Sequence, residues 1–156
     1  MLCHIDNNQT DLPLNLKAVE ALVHQVLATE GKTAGEISIL FVSDPEMCEI
    51  HNTHFNDPSP TDCMSFPIDP PIPATDTPPE GHCLGSVIVC PNTAITWAAE
   101  NNGDPYEETA LYTAHGLLHL MGYDDINKED IIEMRAAEKR AMESLAASKI
   151  DLKEES

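Results

Sequence analysis

The stretch Thr113-Ala-His-Gly-Leu-Leu-His-Leu-Met-Gly-Tyr-Asp-Asp125 decides how the rest of the chain is read. His115 and His119 are four residues apart, so on an α-helix they stand one turn above each other and point the same way. Gly122 follows three residues later, where a helix ends on a left-handed residue, and the turn can bring Asp125 under both imidazoles. Two nitrogens and one carboxylate oxygen on one side of an ion leave the fourth corner of a tetrahedron open. That is the arrangement of a catalytic metal rather than a structural one. The competing reading makes the histidines surface residues and Gly122 an ordinary helix end. It leaves unexplained why two imidazoles flank the apolar stripe Tyr106, Ala110, Leu111, Ala114, Leu117, Leu118 and Met121 of a core helix.

Outward from this helix, Asp104-Pro105-Tyr106-Glu107 forms a capping box that opens it, and Glu108 falls on the histidines' face. Before it, Pro91 to about Asn101 reads as a helix stopped by Asn102-Gly103. After it, Asn127 caps a last helix through Ile131, Met134, Ala141, Met142 and Leu145. Toward the N-terminus, Leu2 to Asp6 is a short strand. Asp11 then caps a helix through Leu12, Leu16, Val19, Leu22, Val23, Val26 and Leu27. Glu36 to Val42 is a strand, and Ser43-Asp44-Pro45 starts a helix that runs to about Phe55. Asn56-Asp-Pro-Ser-Pro is a turn. Asp62 to Phe66 and Leu84 to Cys90 are strands, joined by Pro67 to His82, which holds half of the 12 prolines and reads as a mobile loop or flap. The order β-α-β-α-β-β-α-α-α predicts an α+β domain with a small mixed sheet on one side of the histidine helix.

At 156 residues the chain is long enough for one domain, taken as 1–150, with 151–156 as a polar tail. No apolar run is long enough to span a membrane, and no signal peptide is visible. Cys3, Cys48, Cys63, Cys83 and Cys90 form no CxxC pair, which suits buried thiols of a reducing compartment and predicts a cytoplasmic protein. The formal charge of −19 excludes a general basic surface for nucleic acid. From Thr33 to Asn127 there is no Lys or Arg. Phosphate chemistry there must rely on a metal or on histidines. Arg135, Lys139 and Arg140 either contact RNA or a ribosomal partner or are ordinary surface charge.

Three motifs carry a family resemblance. His115-Gly-Leu-Leu-His119-Leu-Met-Gly122-Tyr123-Asp124-Asp125 resembles the HGxLHLxGYDH signature of the YbeY family of single-strand-specific metallo-endoribonucleases. Asn52-x-x-Phe55, followed by Pro60-Thr-Asp-Cys-Met-Ser-Phe-Pro67, resembles that family's N-x-x-[FY]-R…P-T-D-V-L-S-F-P. Leu84-Gly85-Ser86-Val-Ile-Val resembles its LGDIxIS strand. The three come in the family's order and spacing, over roughly Ile37 to Leu145.

The resemblance implies a zincin-like hydrolase that matures the 3′ end of small-subunit ribosomal RNA and serves ribosome quality control. Its partners are then single-stranded RNA and the ribosome or small subunit, with neither DNA nor a membrane expected. It implies one zinc ion per chain on His115, His119 and the position held here by Asp125, which is usually His. The Asp keeps a good ligand but adds negative charge, so Mn²⁺ competes somewhat better. Asn56 stands where the motif has Arg, which removes an expected phosphate clamp. Ser86 stands where LGD has its acid.

The most economical mechanism is metal-assisted hydrolysis of a phosphodiester. Protease versions of this helix carry Glu directly after the first His as general base, and here that residue is Gly116. The base is then the metal hydroxide itself or another acid, Asp62 or Asp124, with Ser65 or Thr61 orienting water or phosphate. Asp62 alternatively caps its own turn, and Asp124 braces the turn or accepts an imidazole N–H. Tyr123 either stacks on a base or packs the helix end. His51 and His54 either stand in for the missing Arg or are solvated. Two other classes stay open: a metal hydrolase of peptide or amide bonds, opposed by Gly116, and a non-catalytic ribosome-assembly factor whose metal only folds the C-terminal half.

Overall fold

The computed structural model describes residues 1–57 and 61–154. The turn expected at Asn56–Pro60 lies partly outside them. Asn56 itself ends the preceding helix at φ 54, a left-handed position that Asn tolerates.

Strand β1 (Leu2–Asn7) runs parallel to β3 (Glu36–Phe41), and β3 runs parallel to β6 (Gly85–Val89). β4 (Cys63–Pro67) closes the sheet antiparallel to β6, giving the order β1-β3-β6-β4. β3 alternates, with Ile37, Ile39 and Phe41 buried, whereas the interior strand β6 buries Val87, Ile88 and Val89 in succession. A strand covered on both faces needs such a continuous apolar run. One face is covered by α1 (Leu16–Thr29) and α4 (Pro105–Leu120), with α5 (Lys128–Ala147) packed on both helices, and Leu22, Val26, Val87, Leu117, Leu118 and Met134 belong to the shared core. Val42, Met47, Met64, Ile88 and Cys90 form a smaller cluster under α2 (Asp44–Phe55). α3 (Pro91–Asn101) packs on α4. This is the expected α+β domain with a small mixed sheet.

α4 lies close across β4 and β6. A Cβ added at Gly116 would sit 2.4 Å from Val87 Cγ1 and 3.3 Å from Ser65 Oγ. Ser65 Oγ donates to the Gly116 carbonyl at 3.0 Å, tying helix to strand at the same point. Gly116 is therefore the contact that sets the helix on the sheet.

Three expectations need correction. α1 begins at Leu16 and is capped by Asn15, whose Oδ1 accepts the Ala18 N–H at 3.2 Å, not by Asp11. Gln9 brackets both the N–H and the carbonyl of Leu12, so Leu12 enters the core from a bend ahead of the helix. The C-terminal residues are not simply a polar tail. Leu152 is buried, its carbonyl accepts from Asn15 N–H at 2.9 Å, and Lys153 bridges to Leu14. The stretch from Pro67 to His82 is pinned rather than loose. Within it β5 (Ile72–Pro73) pairs with β2 (Lys32–Thr33). Buried His82 accepts from Gly35 N–H at 3.0 Å through Nδ1 and reaches the Pro70 carbonyl at 2.7 Å through Nε2.

Gly116→Ala tests the helix–sheet contact. Overpacking against a stiff Val costs about 1–3 kcal/mol. The helix-propensity gain is at most about 1 kcal/mol. A lowered denaturant midpoint is expected, partly restored by adding Val87→Ala. An unchanged midpoint in the single variant refutes the close contact.

Candidate metal centre

Both ends of α4 are set by local chemistry. Asp104 accepts the Tyr106 N–H at 2.9 Å and opens it behind Pro105. At the far end Tyr123 N–H donates to the Leu118 carbonyl at 3.0 Å and Gly122 N–H to the His119 carbonyl at 3.1 Å. These are the two bonds of a Schellman turn, and Gly122 provides its positive φ of 104. The chain reverses there. Asp124 Oδ1 then takes the Asp125 N–H at 2.8 Å, and Asn127 Oδ1 caps α5 through Asp130 N–H at 2.9 Å.

The turn brings three candidate ligands together. His115 Nε2 and His119 Nε2 are 3.0 Å apart, and the Asp125 oxygens lie 3.5 and 3.6 Å from them. The edge of a tetrahedron around an ion with zinc–nitrogen bonds is about 3.3 Å. Each pair approaches that spacing, Asp125 through a different oxygen for each histidine, and one ligand atom from each residue lies within 4.8 Å of the other two. Among the described residues this is the group of His, Cys, Asp and Glu that converges in this way, and it fits a metallo-enzyme. Side-chain exposures of 19% for His115, 25% for His119 and 45% for Asp125 leave it accessible from one side.

Glu138, which the sequence reading did not single out, orients the first histidine. Its Oε2 lies 2.6 Å from His115 Nδ1, and its Oε1 accepts from Arg135 at 2.7 Å. With Nδ1–H donated to Glu138, the Nε2 lone pair faces Asp125 and His119. Burial disfavours the His115 cation, but the Glu138 carboxylate outweighs it and raises the imidazole above its ordinary value. Burial likewise disfavours the Glu138 anion, and His115 and Arg135 together still hold it below the usual carboxylate range. A signal for Glu138 existed. It is a carboxylate inside the buried stripe Met134, Ala137, Ala141 and Leu145 of α5.

The surroundings are acidic. Glu108 is buried two turns before His115 on the same face of α4, where burial and the charges of Asp62, Glu107 and Glu138 push its carboxyl up. Asp62 is exposed and accepts its neighbour Cys63 N–H at 2.7 Å, the turn-capping alternative, while its charge still reaches His115. Asp124 lines a cavity of about 340 Å³ with His119, Ser65 and Pro67. The His54 ring lies 4.8 Å from Phe66, and the His51 ring 5.3 Å from Phe55. Cys63 is pushed well above the ordinary thiol range, first by burial and then by Asp62, Asp125 and Glu138. Arg135, Lys139 and Arg140 are each paired with an acid, Glu138, Glu143 and Glu30 respectively.

Tyr123 neither stacks outward nor merely packs. Its hydroxyl donates to Glu30 Oε1, and Arg140 bonds that same oxygen at 3.0 Å, Glu30 Oε2 at 3.2 Å and the Tyr123 hydroxyl at 3.0 Å. The end of α1, the turn before Asp125 and the middle of α5 are thereby joined. Burial works against the Glu30 charge, but Arg140 and Tyr123 outweigh it and hold its carboxyl below the usual range.

A carboxyl depressed on folding contributes stability above its unfolded value and loses it as pH falls through the folded one. Arg140→Leu is therefore expected to cost about 1–3 kcal/mol near neutral pH, from the lost charged hydrogen bonds. That difference from wild type should shrink as the pH drops below the carboxylate range, read by urea unfolding at several pH values. A pH-independent difference contradicts the ionic clamp.

Comparison with known proteins agrees with this geometry. The family profile described as Endoribonuclease YbeY matches residues 4–146. A protein named Endoribonuclease YbeY from Protochlamydia amoebophila is 42% identical over 98% of this chain and 99% of its own. One of the same name from Chlamydia pneumoniae is 37% identical over 89% of this chain and 87% of its own. In fold, the chain is similar to the solution structure of TM1509 from Thermotoga maritima, with a TM-score of 0.63 at 24% identity over 94% of this chain and 91% of that one. With its sheet, its histidine helix and nearly its whole length matched, the chain belongs to the YbeY endoribonuclease family.

Proposed function

We propose that this chain is a metal-dependent endoribonuclease that hydrolyses phosphodiester bonds in single-stranded RNA. Its substrate on this reading is small-subunit ribosomal RNA near the 3′ end, met on the ribosome or its small subunit in the cytoplasm. His115, His119 and Asp125 hold one ion per chain, zinc in the first instance, with Mn²⁺ as the competitor that an oxygen ligand favours. What carries the proposal is the convergence of those three ligand atoms beside a Glu138 that fixes the His115 tautomer. A bound ion supplies Lewis acidity toward a phosphoryl oxygen and lowers the pKa of water.

The chain's own groups do the rest. Glu138 keeps the His115 proton on Nδ1 and the lone pair on Nε2. Ser65 spends its hydroxyl proton on the Gly116 carbonyl, so it offers lone pairs to whatever enters the cavity. Asp124 stands on the cavity wall with one oxygen engaged by Asp125 N–H and the other available to accept a proton from water, and we assign it the general-base role ahead of Asp62. Peptide hydrolysis lacks the usual Glu after the first His, and Val87 denies residue 116 room for any side chain.

The test compares purified protein, loaded with Zn²⁺ or Mn²⁺, on single-stranded RNA, duplex RNA and peptide, alongside His115→Ala. Cleavage of the single strand that is lost in His115→Ala is expected. Equal background in both proteins, or cleavage of peptide alone, refutes the proposal. The ligand set has a separate readout in metal stoichiometry. Asp125→Ala should lose the ion and Asp124→Ala keep it, and the reverse pattern means that the carboxylate register is wrong by one.

A further inference from the structure

The cavity beside His119 does not end at the metal centre. A second cavity of about 230 Å³ is lined by Glu30, Lys32, Met121, Gly122, Tyr123 and Glu133, and it shares Gly122 and Tyr123 with the first. Gly122 lies exposed between the two, and nothing stands within 4 Å of where its Cβ would be, so the ridge between them is low and open.

Lys32 is the cation of this second cavity that is left for a ligand. Arg140 is already engaged by Glu30 and Tyr123, which also neutralises the acid nearest to Lys32 in sequence. Lys32 forms no ion pair among the described residues, unlike Arg135, Lys139 and Arg140. Its backbone is fixed by the β2–β5 ribbon, where Lys32 pairs with Pro73 and Ala74 N–H donates to the Gly31 carbonyl at 2.9 Å. Lys17, Lys149 and Lys153 line a separate cavity, and Lys128 lines neither of these two.

We propose that Lys32 forms a second phosphate subsite, so that a single strand crosses the Gly122–Tyr123 ridge with one phosphate at the metal centre and a neighbouring one at Lys32. The ligand is a nucleic-acid backbone phosphate, and the subsite rests on the RNA reading above. It supplies part of the phosphate contact that Asn56 cannot make. Glu133, exposed on the rim, opposes it and sets how weak the subsite is. A flexible strand can bend over the ridge. A duplex places its backbones on a rigid cylinder that the narrow ridge does not match.

The experiment measures binding of labelled, phosphorothioate-protected single-stranded RNA to the zinc-loaded full chain by fluorescence anisotropy across a salt series. A pentanucleotide is compared with a dinucleotide, which has one internucleotide phosphate. For the pentanucleotide, Lys32→Met should weaken binding severalfold at low salt and reduce the salt slope by about 0.7, one phosphate contact on a single strand. Glu133→Gln should tighten binding, and Lys32→Arg should keep wild-type affinity. Neither Lys32→Met nor Glu133→Gln should matter for the dinucleotide. An unchanged slope in Lys32→Met, or an equal loss for both lengths, overturns the subsite in favour of a diffuse charge effect. Cleavage of unmodified RNA by the same wild-type sample is scored separately. Absent cleavage with intact Lys32 dependence refutes the nuclease reading alone, and cleavage without Lys32 dependence refutes the subsite alone.

Discussion

The fit of α4 against β6 at Gly116 is the constraint from which the centre follows. A helix brought so near a strand that one residue must lack a side chain has little rotational freedom about its own axis. His115 and His119, one residue before and three after that contact, therefore leave the sheet at fixed angles, with no loop to adjust them. The helix is further locked by the Ser65 hydrogen bond, so two strands and one helix define where the imidazoles point. The third candidate ligand arrives differently. Asp125 sits beyond a Schellman turn and is more exposed than either histidine, so its position depends on bonds made by its neighbours.

Those bonds explain why distant residues matter to the turn. Tyr123 is held to Glu30 and Arg140, and Asp124 folds back on the Asp125 backbone. Glu138 does for His115 what this clamp does for the turn. All three devices use carboxylates, and the charges of Glu138, Asp125 and Asp62 bear directly on His115, with Arg135 paired to Glu138. Such a cluster is electrostatically unbalanced without a cation. The raised His115 value is the same imbalance seen from the imidazole, whose charged form the neighbouring carboxylates favour.

What was legible in the sequence was local. The i, i+4 histidines, the glycine that permits the Schellman turn, Asn127 as a cap and the places of the four sheet strands along the chain all depend on residues a few positions apart. What was not legible depends on partners far along the chain. Glu138 is 23 residues from His115, and Glu30 is 93 from Tyr123, so no spacing rule connects them. Asp11 was a plausible cap by residue type, but Asn15 took the role because Leu12, in a bend, and Leu14, bridged to Lys153, enter the core outside the helix. The proline-rich stretch looked unable to pack because its apolar content is low. It is held by polar bonds instead, through buried His82 and the short ribbon with Lys32, and such bonds leave no periodicity to read.

The acidity of the whole chain bears on how a polyanion is met. A protein of charge −19 gains nothing from long-range attraction to RNA, so encounter is slowed and any affinity must come from contacts at close range. The centre concentrates negative side chains as well, and an ion held there would offset that charge where a phosphate meets it. A second neutralised spot at Lys32, across a ridge with no side chain on Gly122, extends that attraction by one step along a strand. On the proposed reading, two close contacts on an otherwise repulsive surface select for a backbone that can bend to reach both, and a single strand bends more readily than a duplex.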